Sequence, residues 1–186
     1  KGFMIHRNTI IATPDTLFLG DDVSCKLIDA RTGATTREIA IPPGISDGPV
    51  WKWMALEGGV LYALAGAAEV QVDTLASTNF GIGQWPWGMW KGHDYKDPAR
   101  SFGFGRTFAA FDTTTLKLLW HRREDDYIDS RGVCMRNGRI YYYAPRQYVA
   151  CLDVRTRTQL WKRADEEILG AIGPDRRAQN PREGFA

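Results

Sequence analysis

The sequence predicts an all-β fold of about three four-stranded antiparallel units. Three observations predict it. Apolar runs rich in Val, Ile, Leu, Tyr and Phe alternate with polar residues and are separated by short turns, the pattern of half-buried strands. Helical periods are nearly absent, with Arg163 to Ile172 (RADEEILGAI) the single short helix candidate. The chain also repeats itself: an alternating run, a second run ending in Asp, a polar turn and a third run recur around Asp29, Asp112 and Asp153. The middle unit carries an insertion. With about 38 residues removed there, the period is near 45, the ~40–45 residues of one four-stranded β-propeller blade.

The first unit, residues 9–41, begins with the strand TIIATP from Thr9 and turns at Pro14-Asp15. Its next three strands lie in TLFLGDDVSCKLIDARTGATTREI, Thr16 to Ile39. The second unit, residues 50–123, opens on VWKWMAL and turns at Gly58-Gly59 into VLYALAG. It resumes at Arg106 with RTFAAFDTTTLKLLW after the insertion at 67–105. The third unit, residues 132–163, opens on GVCMRN and turns at Asn137-Gly138, the strongest hairpin signal of the three. RIYYYAPRQYVACLDVRTRTQLW completes it, and residues 164–186 lead toward a further blade. In each unit the strands are called A to D. PPGISDGP from Pro42 and EDDYIDSR from Glu124 are the expected links between units.

The C–D turn has a physical rationale. An Asp at its start accepts hydrogen bonds from backbone amides further along the turn. Thr32-Gly33 then supplies a hydroxyl and a residue suited to positive φ. Trp120 and Trp161 on the D strands are placed to lie against a neighbouring blade and bury a large ring. ACLDVRTRTQLW, AAFDTTTLKLLW and KLIDARTGATTREI resemble the repeat of quinoprotein-like (PQQ-repeat) β-propellers, whose pattern is A-x-D-x-x-T-G-x-x-x-W. That family includes PQQ-dependent alcohol dehydrogenases and an outer-membrane assembly lipoprotein. The first unit keeps Thr32-Gly33 and lacks the Trp; the others keep Asp and Trp but carry Leu116 and Arg157 where the pattern has Gly. The resemblance covers about residues 9–163. It implies a bacterial periplasmic or exported protein and a larger ring, because closed propellers have ~4–8 blades.

Composition narrows the function classes. A 44% hydrophobic and 25% charged mixture is that of a globular chain. A net charge of +2 gives no strong pull toward nucleic acid. No run of about 18 apolar residues is present to span a membrane. Cys25, Cys134 and Cys151 form no metal or redox spacing, and each sits in a strand-like run where a buried thiol is expected. The start at Lys1 and the end at Ala186 read as those of a segment of a longer chain.

The insertion contains the oddest passage, QWPWGMWKGHDY, with three of the chain's seven Trp. Strand order places it at the same end of the sheets as the two inter-unit links, near Asp47, Asp125, Asp126 and Asp129. Trp85, Trp87 and Trp90 are expected either to form a satellite core, to make a platform for a sugar ring or flat cofactor, or to anchor a partner. His93-Asp94 is the only adjacent His–acid pair but lacks the three or four convergent ligands a metal needs. Arg131, where an inner strand begins, is a candidate for holding an anion in a central channel. Phe102 to Arg106 (FGFGR) has Gly-x-Gly without a following helix and is not a nucleotide fingerprint.

No catalytic constellation and no metal site is assigned. The leading expectation is a ligand-binding or protein-assembly scaffold with no cofactor and no catalysis of its own. Its partners would be the remaining blades, with a protein or glycan at the Trp-rich loop. One alternative, implied by the resemblance, is part of a quinoprotein dehydrogenase using PQQ with calcium. The other is a carbohydrate-binding or carbohydrate-processing propeller.

Overall fold

A computed structural model describes residues 9–68, 98–99 and 103–172. It contains three four-stranded antiparallel sheets, each a simple meander. The first comprises β1 (Ile10–Ala12), β2 (Thr16–Gly20), β3 (Ser24–Asp29) and β4 (Thr35–Ala40). The second comprises β5 (Val50–Glu57), β6 (Val60–Gly66), β7 (Phe104–Asp112) and β8 (Leu118–Asp129). The third comprises β9 (Val133–Arg136), β10 (Arg139–Ala144), β11 (Tyr148–Asp153) and β12 (Thr158–Arg163). A short helix, α1 (Glu166–Ile172), follows. The expected fold class is therefore the observed one, including the long connection between the second and third strands of the middle sheet.

The sheets stack face to face through alternation along each strand. Leu61, Ala63 and Ala65 of β6 pack with Phe18, Cys25 and Leu27 of the first sheet. Tyr62 and Leu64 point the other way and pack with Ile140, Tyr142 and Leu152 of the third. The middle sheet is thus apolar on both faces. Each inter-sheet core holds an aromatic pair: Trp51 and Phe111 at 5.6 Å in one, Phe108 and Tyr142 edge-on at 5.1 Å in the other.

The three C–D turns share the same backbone bonding to their Asp. Asp29 Oδ1 accepts from the amides of Arg31 and Thr32 and from the Thr32 hydroxyl. Asp112 Oδ1 does the same for Thr114 and Thr115. Asp153 Oδ1 accepts from the amides of Arg155 and Thr156. Gly33, Leu116 and Arg157 each donate an amide back to the carbonyl of that Asp at 2.8 Å, with φ of 73°, 61° and 63°. The two residues that replace glycine therefore adopt its backbone geometry.

Three observations differ from the sequence expectations. Glu124–Asp129, expected as an inter-unit link, extends β8, because Phe104 and Gly105 extend β7 to pair with Asp129 and Ile128. Buried Phe104 and Ile128 supply apolar contacts that keep this extension together. Cys134 is exposed while Cys25 and Cys151 are buried, because Cys134 lies on β9, an edge strand of the third sheet, whereas Cys151 lies on the interior strand β11. Trp120 and Trp161 are not equally packed: Trp120 is 9% exposed and Trp161 42%.

Candidate functional site

At one end of the middle sheet β6 leaves into the insertion and β7 returns from it. Two glycines make that root possible. A Cβ on Gly66 would lie 2.7 Å from the Phe104 carbonyl oxygen, and one on Gly105 would lie 2.5 Å from that of Ala65. Only bare backbone permits this approach. The amide of Ser130 then donates to the Gly103 carbonyl at 2.9 Å, tying the returning chain to the end of β8.

Charged side chains brace this root. Lys52 is only 1% exposed; it occupies the β-bulge between Trp51 and Trp53, and its Cε approaches Gly66. Asp129, 3% exposed, caps a 3-10 turn at Ser130–Gly132 by accepting from the Arg131 amide at 3.0 Å. It also holds the Arg131 guanidinium, with Nε to Oδ1 at 2.9 Å and Nη2 to Oδ2 at 2.5 Å. Arg131, the candidate anion ligand, is thus ion-paired within its own turn.

The link before β5 is clamped by Asp47. Its carboxylate accepts a two-pronged contact from Arg106 of β7, at 2.6 and 3.1 Å, and another from Arg123 of β8. The Arg106 hydrogen bond, working against partial burial, holds the Asp47 carboxyl below the usual carboxylate range. Asp47 reciprocally raises the pKa of Arg106. The Thr107 hydroxyl donates to the Ile45 carbonyl at 3.2 Å, fixing the same link a second time. Arg106 also lies 5.0 Å above the Tyr127 ring and donates to the Asp125 carbonyl at 3.4 Å. Beside it opens a hollow of about 150 Å³ lined by Pro98, Asp125, Asp126, Tyr127, Pro145 and Gln147. Buried Glu124 is paired with Arg122 at 2.5 Å.

The structure therefore gathers Asp47, Asp125, Asp126, Asp129 and Arg131 near the insertion root. Trp85, Trp87, Trp90, His93 and Asp94 lie outside the described residues. Among the described residues, no group of three or more His, Cys, Asp or Glu side chains is arranged to hold a metal ion. No described helix is long and apolar enough to cross a membrane. Lys52 and the Asp47–Arg106–Arg123 clamp escaped the sequence reading. A lysine inside the apolar run VWKWMAL was the available signal for the first; the second joins residues 59 and 76 positions apart, which no local pattern reveals.

No protein-family model and no curated protein matches the chain. Among solved structures it is similar to the WD40 repeats of RRP9, with a TM-score of 0.52 and 12% identity over 90% of this chain and 41% of that one. The computationally designed Ika8 protein gives a TM-score of 0.49 and 11% identity over 83% of this chain and 35% of that one. Sqt1 of Saccharomyces cerevisiae gives 0.48 and 7%, over 80% and 30%. The chain spans less than half the length of each. At this identity the RRP9 likeness shows the fold alone, a stack of blades of a repeat β-propeller.

Proposed function

We propose that this chain is a PQQ-like repeat segment of a β-propeller that serves as a ligand-binding or protein-assembly scaffold, without catalysis of its own. One observation carries the reading. At the end of the sheets where the insertion is rooted, the carboxylates of Asp47, Glu124 and Asp129 each bond an arginine of the same frame. Committed in this way they brace loops and are poorly suited to proton transfer. A rigid stack that spends its charges on holding one long, Trp-rich insertion is built to present that insertion to a protein or glycan.

The dehydrogenase alternative requires PQQ and calcium. Calcium takes six to eight oxygen ligands, commonly carboxylates and carbonyls. The carboxylates of Asp47, Glu124 and Asp129 at this end face guanidinium groups, and no three described carboxylates there converge as that ligand set requires, so no step is derived through it.

The test is a titration of the chain with PQQ and calcium, followed by absorbance and by dye-linked alcohol oxidation. The expected result is neither saturable binding nor turnover. Saturable PQQ binding with turnover would overturn the scaffold reading.

A further inference from the structure

At the end of the sheets opposite the insertion root lie the A–B and C–D turns, and they are not charged alike. In the first sheet Asp15 and Asp29 stand with Arg31. In the second, Glu57 and Asp112 stand with Lys117, and Arg37 reaches in to donate to the Thr114 carbonyl at 3.0 Å. The third sheet breaks this balance. Arg136 and Arg139 flank its A–B turn, Arg155 and Arg157 lie in its C–D turn, and Asp153 is the one carboxylate among these turn residues. All four arginines are exposed. None joins a salt bridge among the described residues. Asp153 Oδ1 is already taken by the amides of Arg155 and Thr156.

Two of these placements work against the fold. Arg136 and Arg139 are direct cross-strand partners, and like charges opposite one another destabilise a sheet. Arg157 holds φ at 63° in the slot that Gly33 fills in the first sheet, a geometry that disfavours an L-residue. Stability alone favours neither. Stacking does not hide this end of the sheets. The second sheet has a neighbour on each face, yet its turn residues Thr114, Thr115 and Lys117 are exposed. A further blade against the third sheet would likewise leave its turns open.

We infer that the turn end of the third sheet is a second interaction surface, where Arg136, Arg139, Arg155 and Arg157 bind a short acidic segment of a partner protein. Guanidinium groups grip carboxylates with two parallel hydrogen bonds, and arginine clusters are a recurring means of recognising acidic motifs. The width of the surface sets the length of the segment. From β9 to β12 is three strand spacings of ~4.8 Å, about 14 Å, which is the reach of roughly four or five extended residues. A long polyanion such as nucleic acid fits less well. Laid across the stack it would leave the arginines and meet Glu57 and Asp112, then Asp15 and Asp29. The turns of the third sheet also carry no aromatic ring on which a base could stack. Because the surface lies away from the insertion root, it is independent of what the insertion presents.

The experiment is fluorescence anisotropy of a dye-labelled hexaglutamate peptide titrated with the protein. Saturable binding that weakens as salt is raised is expected. Arg139→Ala combined with Arg155→Ala is expected to weaken it about tenfold. Arg157→Gly is expected to weaken it about threefold while the melting temperature holds level or rises, a combination that a merely structural arginine would not give. Arg31→Ala, in the first sheet, is expected to leave the affinity unchanged. Circular dichroism melts verify that each variant folds. No saturable binding by the wild type, or wild-type affinity in Arg157→Gly and in the double variant, would overturn the inference. An equal loss in Arg31→Ala would also overturn it, by showing that overall charge is responsible. Tighter binding of oligothymidylate than of hexaglutamate, lost in the same arginine variants, would overturn it in favour of nucleic acid.

Discussion

Leu116 holds φ at 61° in the same turn position where Gly33 holds 73°. Both donate an amide to the carbonyl of the Asp four residues earlier, and Arg157 does so in the third sheet. An L-residue in this left-handed region costs roughly 1–2 kcal/mol, which glycine avoids. Arg157 is the clean site for testing the cost, because its side chain is exposed and its inter-blade contact, accepting from Arg122, uses only its carbonyl. Arg157→Gly is expected to stabilise the chain by about 1 kcal/mol. Leu116→Gly should gain less, since Leu116 also packs against the core between the first two sheets. Urea denaturation checks both; a loss of stability in Arg157→Gly would mean the turn is not strained.

These turns also show what the sequence made legible. Asp29, Asp112 and Asp153 marked the repeat because each turn needs an acceptor at that point, a local requirement that leaves a local signature. Period-two alternation located the strands because one-sided or two-sided burial is written residue by residue. The extension of β8 through Glu124–Asp129 was hidden, since EDDYIDSR reads as a polar link until Phe104 and Gly105 are brought opposite it. The Asp47 clamp was hidden for the same reason: its partners come from two other strands. Long-range charge pairing leaves no periodic trace.

Trp120 and Trp161 predict a contrast in stability. Trp120→Ala removes a ring from the core between the second and third sheets and is expected to cost about 3–5 kcal/mol. Trp161→Ala is expected to cost only about 1 kcal/mol, because its ring is 42% exposed and its ring neighbour is Tyr141. Chemical denaturation of the two variants at matched low concentration measures the difference. Equal losses would mean that the Trp161 face is already covered.

Stability should fall on the acid side. The Asp47 carboxyl is held low by Arg106, and Asp29, Asp112 and Asp153 are held low by hydrogen bonds led by the amides of Thr32, Thr115 and Thr156. A folded-state pKa below the unfolded value contributes stability that is present above about pH 4 and is lost as pH falls through the folded pKa. Melting temperature is therefore expected to be level near neutrality and to drop below about pH 4. Asp47→Asn should lower the neutral plateau and flatten the acid slope, because one of the depressed carboxyls is gone while its two arginines lose their counter-charge. A slope unchanged in Asp47→Asn would remove the clamp from the account of acid sensitivity.

Among the described glycines, the one with least room for a Cβ predicts the most severe small substitution. Gly105 lies where β7 begins, and an added Cβ there would meet the Ala65 carbonyl oxygen at 2.5 Å and the carbonyl carbon at 3.0 Å. Both obstacles are backbone of a buried strand and cannot swing aside. Gly105→Ala must therefore push β6 and β7 apart at the root of the insertion, at a cost of about 1–3 kcal/mol or more. The strain falls on the register step between Gly105 and Thr107, and so on the Ser130–Gly103 hydrogen bond next to it. Hydrogen exchange should accelerate at the Ser130 amide in Gly105→Ala while the C–D turn amides of Thr32 and Thr156 keep their rates. Gly170→Ala serves as the control, because a Cβ there meets nothing within 4 Å and helix α1 gains a better helix former. If Gly105→Ala were as stable as that control, the tight root would not be what fixes the insertion to the stack.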